Sequence, residues 1–358
     1  MIELEAELVD TGETSAKILN PISDPRWMSF VQDHPSSSIF HTPEWLRALQ
    51  LSFGYEPVVV TTAGPEEKLT DGALLCIIRS RLTGTRIVSL PFSDHCEILG
   101  ANDDNIQELV NLLTRRLFTG RVRYIELRPV STTPFLKSGF CPSDRFLHHT
   151  LDLSPSLETI FQSLHRDSVQ RRIRRATNAG LAYEKGNSEC LLRVFYELHI
   201  ETRRRLGLPP FPFQWFRSIA SNLKHRMQIR VVFSGKKPIA SLLTLKFKNC
   251  VTYKYGASDA RYHRFGGMPF LFWRTIEEAK REGMLELDFG RSEPTSSGLL
   301  QFKRRWGMRE SALTYWQMGN DKYGYERSYR HKTLAQQVFV HTPRPILLML
   351  AQLYRHLG

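Results

Sequence analysis

One order of elements is spelled out twice along this chain, and it limits the possible folds more than any other feature. In the first half, IFHTPEWLRALQLSFG reads as a helix: Thr42 can cap it, Pro43 takes its first position, and Gly54 stops it. Three β-rich runs follow, VVVTT (58–62), ALLCIIRSR (73–81) and RIVSLPF (86–92), separated by glycine-containing turns. The helical stretch NIQELVNLLTRRLF (105–118) and the strand RYIELRP (123–129) close the series, and FLHHTLDL (146–153) reads as a further strand.

The second half begins with a helix over 156–164 and a basic one, SVQRRIRRATNAG, closed by Gly180. The long helix SECLLRVFYELHIETRRRLG (188–207) and the helical FQWFRSIASNL come next. The same series then returns: MQIRVVFS (227–234), IASLLTLKFK (239–248) and CVTYKYGAS (250–258), a helix over 268–283, and the strand LELDFG (285–290). Helix, three antiparallel strands, helix, strand at a spacing of roughly 150 residues is too long a period for a solenoid. It predicts two like α+β domains with mixed sheets, at 1–153 and 154–317, with 318–358 as a C-terminal segment packing back on the first. The alternative is one large α+β domain. With 358 residues and 41% hydrophobic content the chain can build two ordinary cores.

The formal charge of +13 is unevenly spread. Residues 1–150 hold 14 Lys and Arg against 19 Asp and Glu, whereas residues 151–358 hold 35 against 17. A domain that basic repels itself, so the excess points to an anionic partner, with a solvated surface as the plain alternative. The five cysteines are scattered, and neither they nor the histidines show metal-ligand spacing, so no metal is expected. The opening MIELEAELVD is acidic and lacks the apolar core of a secretion signal, and no run reaches a membrane span. A cytoplasmic protein is expected, with PILLMLAQLY (345–354) as a terminal packing helix or an interfacial one that would place it peripherally on a membrane.

FHTPEWLRAL, LPFSDH, YIELRP, TRRRLGLPP, YKYGASDARYHRFGG, LDFGRS and QFKRRWG, in that order between about residues 38 and 317, resemble the recurrent blocks of FemAB-related, GNAT-like proteins. The resemblance implies two tandem GNAT-like acyltransferase domains. It also implies an acyl or aminoacyl transferase that acts on an amine of a cell-envelope, peptidoglycan or polysaccharide precursor. Acyl-CoA or aminoacyl-tRNA would be the donor. The chain lacks the long coiled-coil arm of some cell-wall members.

Acyl transfer to an amine needs an activated ester or thioester, a positioned amine and stabilisation of the oxyanion. No nucleophile elbow is present and no cysteine has a catalytic setting, which favours direct transfer. Lys303, in the block resembling the family's substrate-binding lysine, and Asp288, ending a central strand, are the catalytic candidates; a solvated Lys and a turn-capping Asp are the plain readings. Arg203 and Arg205 are candidate ligands for an acceptor phosphate or carboxylate, although cations there also suit the helix dipole. Tyr255, Ser258, Arg261, Arg264, Gly266 and Gly267 lie where a strand meets a helix, as a pyrophosphate cradle would require, or form an ordinary tight turn. Arg291 and Ser292 complete the substrate-binding set, while Arg304 and Arg305 are weaker candidates. Arg171, Arg174 and Arg175 form a basic stripe fit for RNA, anionic lipid or water. His41 and His95 are read as structural. Two rival functions remain: an acyl-CoA-dependent N-acyltransferase of small amines, and a non-catalytic RNA- or membrane-surface-binding module.

Overall fold

A computed structural model describes residues 17–80, 84–116, 122–131, 135, 138–319, 339–340 and 342–356. MIELEAELVD, and residues 320–338 of the expected C-terminal segment, lie outside the described residues. The chain divides into two units, one of Met1–Arg145, Leu313–Tyr329 and Leu353–Gly358, the other of Phe146–Ala312 and Arg330–Gln352.

In the first unit the elements run β1 (Lys17–Leu19), α1 (Pro25–Asp33), α2 (Pro43–Phe53), β2 (Glu56–Thr61), β3 (Asp71–Ser80), β4 (Gly84–Val88), β5 (Leu99–Gly100), α3 (Asp103–Arg116) and β6 (Val122–Leu127). The start signal of α2 works as expected: Trp45 N donates to Thr42 Oγ1, and Gly54 ends the helix at φ 72°. Strands β1 to β4 form an antiparallel ladder, and α3 carries the chain over to place β6 parallel to β4. Val60, Leu75 and Ile77 pack with Ile87, Leu109, Leu113 and Ile125 as its core.

The second unit holds β7 (Cys141–Asp152) from Phe146 onward, α4 (Leu157–Ser163), a π turn at Arg166–Gln170, α5 (Arg171–Asn178), β8 (Ala182–Gly186), α6 (Glu189–Arg205), α7 (Phe213–Leu223), β9 (Met227–Ser234), β10 (Lys237–Phe247), β11 (Cys250–Ser258), α8 (Gly267–Arg281), β12 (Glu286–Ser292) and α9 (Ser297–Arg304). Its order is β8-β9-β10-β11-β12-β7, antiparallel except for the β11–β12 pair. Val232, Leu242, Val251, Leu271, Phe272, Leu287 and Trp306 form its core. Both units therefore repeat helix, three antiparallel strands, helix and a parallel strand.

Besides the short β1 and β5, two longer strands were not among those expected. AYEKG, forming β8, is an edge strand with exposed Glu184 and Lys185, a charged edge that shows no apolar alternation. The other is β13 (Arg309–Gly319), whose end pairs antiparallel with β6 in the first unit, Trp316 opposite Leu127.

Candidate active site

In the second unit β11 and β12 are paired over three positions only, Cys250 with Glu286, Val251 with Leu287 and Thr252 with Asp288. Beyond Thr252 and Asp288 the two strands are no longer bonded to each other, although β11 stays with β10 as far as Ser258 and β12 with β7 as far as Ser292. The sheet thus opens as a wedge. Register breaks occur on both of its walls: β10 and β11 slip between Leu243 and Thr244, which skips Lys254, and β12 and β7 slip between Asp288 and Arg291. A bulge adds one residue to a strand and reverses the facing of the residues after it. Tyr253 accordingly packs towards Phe272 and Phe289, while Tyr255 packs towards His199, Phe211 and Phe216 of the opposite layer.

The first unit has the corresponding parallel pair and keeps it closed. Beyond Val88 and Glu126, Ser89 N donates to Glu126 O at 2.8 Å and Arg128 N to Ser89 Oγ at 2.7 Å, and Arg128 Nη1 reaches Leu90 O at 2.6 Å. The open wedge therefore belongs to the basic half of the sequence.

Lys303 lies beneath β12, 2% exposed. Its ammonium donates to Phe289 O at 2.8 Å, Gly290 O at 2.9 Å and Arg291 O at 3.2 Å, the carbonyls of the β12 irregularity. Asp288 is also buried: its Oδ1 accepts from Gly290 N at 2.7 Å and lies 2.9 Å from His148 Nε2. Both catalytic candidates thus shape the same wall of the wedge. Arg291 places its guanidinium 4.0 Å from the centre of the Phe146 ring, and Ser292 is buried opposite Leu147.

Most of the remaining predicted residues meet at the far end of β11. Thr202 of α6 donates to Ser258 O at 3.1 Å and accepts from Ser258 N at 2.8 Å, and Ser258 Oγ lies 3.0 Å from His263 Nε2. The Tyr255 hydroxyl accepts from Trp215 Nε1 at 2.8 Å. Arg203 donates to Pro209 O at 3.0 Å and covers the Phe211 ring, so it secures the loop after α6 instead of reaching outward. Arg205 is exposed. Arg261 is held by Asp259, whose carboxylate also caps the turn before α8, and Arg264 is exposed with its carbonyl accepting from Arg175 Nη1 at 3.4 Å.

The glycines at the start of α8 are explained by packing within the protein. Gly266 has φ 75°, and a Cβ there would sit 2.7 Å from Arg172 O; one at Gly267 would sit 3.1 Å from the Ala240 Cβ. Beside these glycines the space is filled by α5 and β10.

Two site neighbours were not singled out from sequence. His148 sits in a strand pattern that carries no chemical signal, and its pairing with Asp288 depends on β7 lying beside β12. His263 lay inside a quoted motif. Burial, then Arg205, holds it below its usual pKa, so it is neutral near pH 7 and can accept a proton. Burial also pushes the Cys250 thiol well up, with Asp288 and Glu286 adding to the shift, so no thiolate forms beside the wedge.

A protein-family profile described as an acetyltransferase (GNAT) domain matches residues 163–304, which run from α4 through α9 and include both walls of the wedge. Residues 163–304 thus match a GNAT acetyltransferase domain. Among solved structures it is similar to FemX, with TM-score 0.64 and 14% identity over 88% of this chain and 99% of FemX. The C-terminal domain of a putative lysylphosphatidylglycerol synthetase from Agrobacterium fabrum gives 0.53 and 13% over 90% and 98%. A tandem GNAT protein from the clavulanic acid biosynthesis pathway gives 0.53 and 9% over 85% and 98%. These likenesses bear out the tandem GNAT fold and the FemAB-like resemblance. A search of curated proteins found no match. No described helix of the chain is long and apolar enough to cross a membrane.

Proposed function

We propose that this GNAT-type acyltransferase moves an acyl or aminoacyl group directly from an activated ester or thioester to an amine of a cell-envelope or polysaccharide precursor. The acyl carbon would lie in the β11–β12 wedge. The amine nitrogen forms the new C–N bond as the C–O or C–S bond to the carrier breaks; the proton that nitrogen loses passes by way of a base to the departing oxygen or sulfur, so the carrier leaves as an alcohol or thiol. The observation that carries this reading is the parting of β11 and β12 after Thr252 and Asp288, inside the stretch matched by the GNAT profile.

Three further features support it. The elevated Cys250 thiol argues against a covalent enzyme intermediate. Neutral His263, against Ser258 at the end of β11, is suited to take the amine proton. Lys303 acts as a positioning residue, since its ammonium is committed to the β12 carbonyls that shape the wedge. For the finer assignment to envelope aminoacylation, the supporting relatives in fold are FemX and a putative synthetase whose name describes a lysyl group on phosphatidylglycerol.

The test is donor discharge. Purified protein is given acetyl-CoA in one arm and charged tRNA in another, each with an amine-bearing envelope precursor, and amide product is read by mass spectrometry. Product from charged tRNA identifies an ester donor and product from acetyl-CoA a thioester donor, and either supports transfer to the envelope amine. Intact donor in both arms would sink the assignment of activity to these classes.

A further inference from the structure

Another face of the second unit carries an inference that does not rest on the acyl-transfer reading. Helix α10 (Arg344–Leu350) lies against α6, with Arg344 paired to Glu197 at 2.7 Å and Arg204 Nε donating to Val340 O at 3.3 Å. Its inner face is buried, with Leu347 at 0% and Ala351 at 1% exposure. Its outer face is also apolar: Ile346 is 45% and Met349 67% exposed. Beside the same helix pair, Val340 is 38% and Leu206, just past the end of α6, is 49% exposed. Scattered exposed apolar residues are ordinary, but Ile346 and Met349 stand one turn apart on the outer face of a single helix, an arrangement that marks an interaction surface.

The surroundings of the patch indicate its partner. Arg205 adjoins Leu206 and, together with Arg172 of α5, lies close to His263, while Arg175 reaches Arg264. Among the described residues no carboxylate is paired with Arg172, Arg174, Arg175, Arg205 or Arg264. The acids nearest α10 are offset, Glu197 by Arg344 and Glu201 by its position near Arg344 and Arg261. A protein partner would be expected to face a patch rich in aromatic anchors. This one offers aliphatic and thioether side chains beside unneutralised arginines, which is the composition of an interfacial membrane contact.

We propose that this face docks the protein on an anionic phospholipid surface. Ile346 and Met349 enter the headgroup layer, while Arg205, Arg172 and Arg175 meet lipid phosphates. The contact needs no turnover, so it can fail while acyl transfer stands, and the reverse.

The experiment is co-sedimentation of the full chain with vesicles of phosphatidylcholine containing phosphatidylglycerol, and with phosphatidylcholine vesicles alone, at low and high salt. The wild type is expected to partition onto the anionic vesicles at least about tenfold more strongly than onto neutral ones, with the difference shrinking as salt rises. Ile346→Asp with Met349→Asp is expected to release it from both, and Arg172→Glu with Arg175→Glu to abolish the anionic preference. Because all four side chains are exposed, unchanged thermal midpoints would show that the variants fold. No partition of the wild type, or equal partition of wild type and the Asp variant, overturns the proposal. A dimer in gel filtration that the Asp variant dissociates, without vesicle binding, overturns it in favour of self-association.

Discussion

At Lys303 an ammonium group has left water for three backbone carbonyls. That burial is costly, and charge-assisted hydrogen bonds of 2.8, 2.9 and 3.2 Å offset the cost. Lys303→Met would remove the donors and leave buried carbonyls behind, and is expected to lower stability by about 1–3 kcal/mol, read as a fall in the urea midpoint. Lys303→Arg should not restore it, because a planar fork cannot reproduce three converging bonds. QFKRRWG gave notice of an important lysine, but the sequence could not say that its partners are the carbonyls of Phe289, Gly290 and Arg291, since they are reached only when α9 folds under β12. His41 gives a pH signature. As the neutral imidazole it accepts from Ser38 N at Nδ1, donates from Nε2 to Glu97 O, and is driven by burial down to about 4. The unfolded chain takes up this proton near pH 6.5, so the His41 contribution is complete above that pH. It is lost as pH falls towards about 4, by about 3 kcal/mol. Buried His199, also pushed well down by burial, adds in the same direction. Thermal midpoints should fall between pH 6.5 and 4, and His41→Gln should flatten that slope while lowering stability at neutral pH.

Among the elements, α2 was legible because Thr42, Pro43 and Gly54 mark its ends locally, and α6 because Ser188 caps it where the apolar spacing begins. The wedge was not legible. Its walls are set by register slips at Lys254 and after Asp288, and register is decided by neighbouring strands, not by local pattern. Glycines at these walls provide a test. A Cβ at Gly256 would lie 2.3 Å from the Tyr253 hydroxyl, so Gly256→Ala should displace that ring and lower acyl transfer, and Tyr253→Phe in the same chain should recover part of the loss by removing the clashing oxygen. Gly266→Ala has no such remedy. It meets the Arg172 carbonyl at 2.7 Å with φ at 75°, and is expected to cost about 1–3 kcal/mol in thermal or chemical unfolding.

For the whole molecule, one topology occurs twice with different outcomes. Both units carry three antiparallel strands, a helix and a parallel strand, as the repeated sequence pattern predicted, yet the first unit bonds its parallel pair shut through Ser89 and Arg128 while the second lets its pair part beyond Thr252 and Asp288. The contrast matches the charge distribution, which places the positive excess in residues 151–358. An anionic donor should therefore bind the second unit, and its affinity should fall as salt rises. The central claim is that the donor enters between β11 and β12, and hydrogen exchange of the full chain with and without saturating acetyl-CoA or charged tRNA tests it most directly. Bound donor is predicted to slow exchange across Tyr253–Ser258 and Phe289–Ser292 and to leave β4 and β6 unchanged. A donor that binds while protecting only the first unit, or neither wall of the wedge, would contradict the account.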